Sequence, residues 1–192
     1  MEFNHEGIVD DIRRLLLDLG MDIKDPNLVD TPQRVARAYR EMLRGHYDEF
    51  SITSRFPTDG YDEMIVKTGI KAVGICPHHL LPINYDISIG YIPAASPATV
   101  VGISKLARLA IHLSARLVLQ EQLTIDIAAA IHKELPTKGV GVVVVGLHGC
   151  EAFRGVKMSN SLTMTSRMEG AFRNSPATRA EFLGLIKHNG GE

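Results

Sequence analysis

The sequence predicts an α+β fold in which an antiparallel sheet carries helices on one face. Three observations predict it. Apolar residues alternate cleanly in one of four segments read as strands and recur at helical spacing in others, the two periods that separate strands from helices. Those segments of the main body run strand, strand, helix, helix, strand, strand, an order that suits antiparallel pairing better than alternating parallel units. The 192 residues are 45% apolar and 22% charged, enough for one compact core without disulfide or metal staples.

Residues 7–20 read as an amphipathic helix through Ile8, Ile12, Leu15, Leu16 and Leu19, stopped by Gly20. A second helix opens at Thr31-Pro32, with Thr31 as N-cap and Pro32 at the first helical position. Its apolar face is Val35, Ala36, Tyr39 and Met42, with Arg34, Arg37 and Arg40 towards the other side. A Ser/Thr/Pro/Gly-rich loop over 51–60 divides an N-terminal helical arm, 1–60, from the main body, 61–192. In the body, 63–75 and 83–92 read as strands, the second alternating through Ile83, Tyr85, Ile87, Ile89 and Tyr91. Helices are expected over 104–119 and 121–135, the latter closed by Pro136. Strands follow over 139–148 and 157–166, then a last helix over 178–187.

Composition excludes several classes. Lys+Arg total 21 and Asp+Glu 22, a net charge of −1, with 6% aromatic residues and no Trp. A nucleic-acid binder usually carries a basic excess and stacking surfaces, so no nucleic-acid partner is expected. The apolar run 140–147 is too short to cross a bilayer and is broken by glycines, so no membrane is expected either. The start Met1-Glu2-Phe3-Asn4-His5-Glu6 lacks the basic-then-apolar pattern of a signal peptide, and two cysteines make no disulfide scaffold. A cytoplasmic location is expected.

Cys76-Pro77-His78-His79 and His148-Gly149-Cys150 each follow a predicted strand. Thiolates and imidazoles are the usual zinc donors; the same residues would otherwise be small buried hydrophobes beside surface histidines. On the helix expected from 104, Lys105, Arg108, His112 and Arg116 lie opposite Leu106, Leu109, Leu113 and Leu117. With Ser104 at the helix start this stripe suits a phosphate group, or is simply a solvated basic face. Gln120-Glu121 begins the next helix, where a carboxylate can accept from an amidine-like edge such as that of guanine, or merely complement the helix dipole. Arg154 adds a further candidate phosphate contact. Together these clusters imply a purine nucleotide beside a Lewis acid.

The chain resembles the GTP cyclohydrolase I family. The resemblance runs through Cys76-Pro77-His78-His79-Leu80-Leu81-Pro82, Ile89-Gly90-Tyr91-Ile92-Pro93, Gly102-Ile103-Ser104-Lys105-Leu106-Ala107-Arg108 and Gln120-Glu121-Gln122-Leu123-Thr124. It continues through His148-Gly149-Cys150, Arg154-Gly155-Val156, Asn160-Ser161, Thr165-Ser166 and Thr178-Arg179-Ala180-Glu181-Phe182-Leu183, with Thr31-Pro32-Gln33-Arg34-Val35-Ala36 in the arm. It implies a tunnelling fold whose sheets join into a ring, a homodecamer of two stacked pentamers with active sites between subunits.

The resemblance further implies that Cys76, His79 and Cys150 hold zinc, for which ferrous iron could substitute. Gln120 and Glu121 would read the guanine edge, and Lys105, Arg108 and Arg154, helped by Arg34 and Arg37, would bind the triphosphate of GTP. His78 and His148 would move protons, and Ser104 would assist the ribose steps. The implied reaction is hydrolysis at carbon 8, release of formate and closure to 7,8-dihydroneopterin triphosphate, the first step of tetrahydrofolate or pterin synthesis. A diverged relative would stop at the formylaminopyrimidine, and a non-catalytic ring would keep zinc only for structure. Two departures stand out: Pro77 replaces the family's Glu, removing a charge and a hydrogen-bond partner beside His78, and Glu151-Ala152-Phe153 replaces a Met-rich stretch.

Overall fold

A computed structural model describes residues 2–94 and 98–187. The arm holds α1 (His5–Asp18) and α2 (Thr31–Met42). The Asn4 side chain caps α1 by accepting from the Gly7 N–H at 3.0 Å; in α2 the N-cap is Asp30 rather than the expected Thr31, which already belongs to the helix, and Pro32 falls in the first turn. A 3-10 turn, Arg44–His46, leads to β1 (Arg55–Pro57), β2 (Ile65–Ile75), β3 (Pro82–Pro93) and β4 (Thr99–Val101). Then come α3 (Ile103–Ser114), α4 (Gln120–Glu134), β5 (Thr137–His148), α5 (Gly149–Ala152), β6 (Thr163–Gly170), α6 (Ala171–Asn174) and α7 (Pro176–Lys187).

The sheet order is β2-β3-β5-β6, antiparallel throughout, as the α+β expectation required. Strand alternation sends Ile83, Tyr85, Ile87, Ile89 and Tyr91 of β3 to one face, paired across to Val144, Val142 and Val140 of β5. Leu106 and Leu109 of α3 and Leu123, Ile127 and Ile131 of α4 share the core cluster with those strand residues, all of them buried. The other face is covered at one end by Phe172 and Phe182 of α6 and α7. Gly90 and Gly141, paired in register, make room for them: a Cβ on Gly141 would stand 2.5 Å from the Phe172 ring.

Several boundaries differ from expectation for local reasons. The helix expected over 104–119 ends at Ser114, where the Arg116 Nε donates to the Leu113 carbonyl; residues 115–119 run on in an extended segment whose Leu117 bridges Ile75. The strand expected over 157–166 lies at Thr163–Gly170, because Gly155 and Lys157 adopt left-handed backbone and a series of turns occupies 154–161. The short β1 and β4 pair with each other outside the main sheet, within and beyond segments read as loop. Among the described residues no helix is long and apolar enough to cross a membrane.

Candidate active site

Two loops meet at one end of the sheet. The first, between β2 and β3, closes through Leu80 N–H to Cys76 O at 2.9 Å and Cys76 N–H to Leu81 O at 2.8 Å. Leu80 takes φ +54°, and its carbonyl accepts from the Tyr39 hydroxyl of α2 at 3.3 Å. Pro77 occupies the residue after Cys76, where this turn asks for no N–H, so the ring fits without losing a backbone bond. The second loop follows β5, brought alongside by the Ile83–His148 register pair. Gly149 permits the approach, since a Cβ there would stand 2.7 Å from the Pro82 carbonyl.

Cys76, His79 and Cys150 thereby offer three donor atoms within 4.8 Å of one another. Cys76 Sγ and His79 Nδ1 are 3.7 Å apart. Donors on a tetrahedral zinc at ordinary bond lengths stand about 3.5–3.8 Å apart, so the set fits such an ion, and three protein ligands leave a fourth position open. Burial pushes the Cys150 thiol up, as does Cys76 beside it. A bound cation relieves this crowding of two thiol groups by stabilising their thiolates.

A cleft of about 220 Å³ opens beside the trio, lined by Cys76, Pro77, His78, Leu119, Gln120, Glu121, His148 and Cys150 among others. A larger hollow of about 560 Å³ lies between the arm and the edge of the sheet, but its lining offers no cluster of metal donors, so chemistry selects the smaller cleft. Glu121 is solvent-exposed in the first turn of α4, its carboxylate open to a ligand. The His78 Nδ1 stands 4.0 Å from Cys76 Sγ. Burial lowers His148 below the usual imidazole value, with the Glu151 and Glu121 charges pushing back. Burial also holds the neighbouring Tyr85 phenol protonated well above its usual range, reinforced by Cys76 and Glu121.

Gln120 is buried, and its side-chain amide is fully engaged inside the protein. Nε2 lies 3.0 Å from Val144 O, 2.9 Å from Thr163 O and 3.2 Å from Thr165 Oγ1, and Oε1 lies 2.9 Å from His148 Nε2. Thr124, Thr165 and Gly146 complete this cluster. Thr124 and Thr165 fall in motifs that carry the resemblance, with no role assigned to them, and Gly146 left a signal as a glycine inside a β-branched strand, which marks close approach of another group.

The phosphate candidates fall into separate places. The Arg154 Nη1 meets His79 Nε2 at 2.9 Å, next to the metal donors. Arg34 is ion-paired with Asp30 at 3.1 Å, and Arg37 is exposed on the same helix. Ser104 and Lys105 sit at the start of α3, near Ser54 and Phe56 and close to the Tyr91 end of the sheet, with Arg108 midway along the helix. The other end of α3 adjoins the metal loop, since Ile75 N–H reaches Arg116 O at 3.5 Å. The helix thus separates Ser104 from the loop by roughly 16 Å at 1.5 Å per residue. Of the remaining stripe, His112 stacks on Phe50 and Arg116 pairs with Asp126 at 2.6 Å.

A family model described as GTP cyclohydrolase I matches residues 8–187. The GTP cyclohydrolase 1 of Corynebacterium glutamicum (strain R) is 40% identical over 187 residues, which cover 97% of this chain and 95% of that protein. The GTP cyclohydrolase 1 of Dehalococcoides mccartyi (strain CBDB1) is 39% identical over 189 residues, covering 98% of this chain and 100% of that protein. Among solved structures, an archaeosine synthase QueF-Like in the apo form matches with a TM-score of 0.44 at 15% identity, over 59% of this chain and 97% of that one.

Proposed function

The chain belongs to the GTP cyclohydrolase I family, and from that premise we propose how its cleft carries out the family's reaction. The reaction converts GTP to 7,8-dihydroneopterin triphosphate, with carbon 8 of the guanine leaving as formate. The observation that carries the assignment is the Cys76–His79–Cys150 trio, whose two cysteines line the same small cleft as Glu121, His78 and His148.

Cys76, His79 and Cys150 hold zinc, and ferrous iron suits the same donors. When bound, such an ion supplies Lewis acidity and an acidified water near neutral pH. The Glu121 carboxylate accepts from the ring N–H and amino group of guanine, fixing which base enters. His78, exposed and lining the cleft, donates the proton that the ring nitrogen needs on opening. His148 handles the second proton movement.

Two features support a triphosphate site shared between copies. The cleft, at about 220 Å³, is below the usual range of nucleotide-sized pockets, and Lys105 stands at the far end of α3, with Arg108 midway along it. A neighbouring copy therefore presents Ser104, Lys105 and Arg108 to the cleft, where Arg154 joins them, with Arg34 and Arg37 approaching from the arm. Ile103, 78% exposed immediately before Ser104, and Phe153, 71% exposed immediately before Arg154, supply apolar surface for that contact. A ring of two stacked pentamers acting in the cytoplasm is the assembly in keeping with the resemblance.

Two variants separate the roles of the adjacent histidines. His79→Ala is expected to lose bound metal and turnover together, whereas His78→Ala retains metal and loses turnover by roughly 100-fold or more. Metal content and GTP consumption of the purified proteins decide it; metal loss from His78→Ala with retention in His79→Ala would reverse the assignment.

A further inference from the structure

The guanine edge and Gln120 are not free to meet, because every polar atom of the Gln120 side chain already has an internal partner. Two of those partners are backbone carbonyls, Val144 O and Thr163 O, which can only accept. The amide nitrogen must therefore face them, which removes the usual ambiguity between the two ends of a carboxamide. The oxygen is then the atom facing His148, and Gly146 leaves space for it: a Cβ on that residue would stand 2.2 Å from Gln120 Oε1.

The surrounding hydroxyls agree with this orientation. The Thr124 hydroxyl donates to the Gln120 backbone carbonyl at 2.7 Å. With its proton spent there, Thr124 Oγ1 accepts from the Thr165 hydroxyl at 2.6 Å. Thr165 Oγ1 lies 3.2 Å from Gln120 Nε2, the longest of that nitrogen's three contacts, and shares a hydrogen already directed at one of the two carbonyls. Each donor in the cluster has an acceptor and none is opposed by another donor, so the network is locked in one direction.

Since Gln120 Oε1 can only accept, the neutral imidazole 2.9 Å away must carry its proton on Nε2. We infer that Gln120 is a positioning residue rather than a guanine contact: its carboxamide holds His148 as the Nε2–H tautomer and leaves Nδ1 as the lone pair available in the cleft. This rests on the assignment of the cleft to GTP hydrolysis for its catalytic meaning, although the tautomer itself does not.

The test has two arms on the zinc-loaded protein. Nitrogen-15 spectra of histidine-labelled protein, with the His148 signals identified by their loss in His148→Gln, should show a protonated Nε2 and a bare Nδ1. A proton on Nδ1 would overturn the proposal whatever the protein catalyses. In the second arm, GTP turnover by the unaltered protein is established first; its absence sinks the functional reading and leaves the spectra to decide the tautomer. Where turnover is present, Gln120→Met should lower kcat about 10- to 100-fold with KM within about twofold, the signature of a lost positioning contact. Gly146→Ala, which displaces Oε1 without altering Gln120, should lower kcat in the same way. A raised KM with unchanged kcat in Gln120→Met would return Gln120 to the guanine edge. If Gln120→Met fails to fold, the spectra of the unaltered protein still decide.

Discussion

Glu121 and Gln120 are adjacent in sequence yet face opposite demands, one open to solvent and the other 2% exposed. A carboxylate standing free at the mouth of the cleft can satisfy two donors on one edge of a base. A base lacking those donors leaves it unpaired, which is how such a group discriminates. Hydrogen bonds to a charged group are each worth about 1.5–3 kcal/mol, so Glu121→Ala should weaken GTP binding roughly 10- to 100-fold or more. Its unfolding midpoint should stay close to that of the parent because the side chain is exposed. Calorimetric titration with GTP checks this, and an unchanged affinity would remove Glu121 from the role of base reader. Pro77, in the metal loop beside His78, costs the loop no backbone hydrogen bond.

The elements around the cleft are joined to the arm through His46. Its Nε2 accepts from the Leu117 N–H at 2.8 Å, tying the 3-10 turn to the segment that leads into α4. A protonated imidazole could not accept that bond. Burial, and next the nearby Arg116 charge, hold His46 below its usual value of 6.5. As pH falls through about 6.5 the unfolded chain takes up this proton and the folded chain resists, so the unfolded state binds more protons and stability declines with falling pH. The thermal midpoint should therefore drop between about pH 7.5 and 5.5, and His46→Ala should show a shallower drop. His112 and His148, lowered for the same first reason, keep some slope in that variant. Equal slopes in the two proteins would show that the His46 contact carries none of it.

The same scale shows what periodicity could and could not reveal. β3 was plain because Ile83 to Tyr91 alternate without a break and the opposite positions are polar or small. The end of α3 was not, since the leucines at 113 and 117 keep helical spacing past Ser114; the chain leaves the helix because Leu117 gains partners in His46 and Ile75, which lie far away in sequence. The metal donors were legible because thiols beside histidines at strand ends have few other reasons to cluster. The work of Gln120 was hidden, because its partners come from β5 and β6 and only the fold brings them together.

At the scale of the whole molecule, the proposed function divides the site between copies of the chain. Cys76, His79, Cys150 and Glu121 gather at one end of the sheet, while Ser104 and Lys105 stand at the other, with Arg108 midway along α3. The edge strands β2 and β6 also leave main-chain groups for a neighbour to pair. A site divided between copies makes a distinctive prediction. Lys105→Ala and His78→Ala, each inactive alone, should regain a substantial fraction of activity when co-expressed, because mixed assemblies contain some clefts with both residues intact. Absence of any recovery, in assemblies shown to contain both chains, would confine the site to a single copy.

The most direct measurement is to incubate the zinc-loaded protein with GTP, identify the nucleotide product by mass and assay formate. The account predicts 7,8-dihydroneopterin triphosphate with one equivalent of formate for each GTP consumed. Unchanged GTP from protein that holds its metal, or a formylaminopyrimidine without formate, would contradict it.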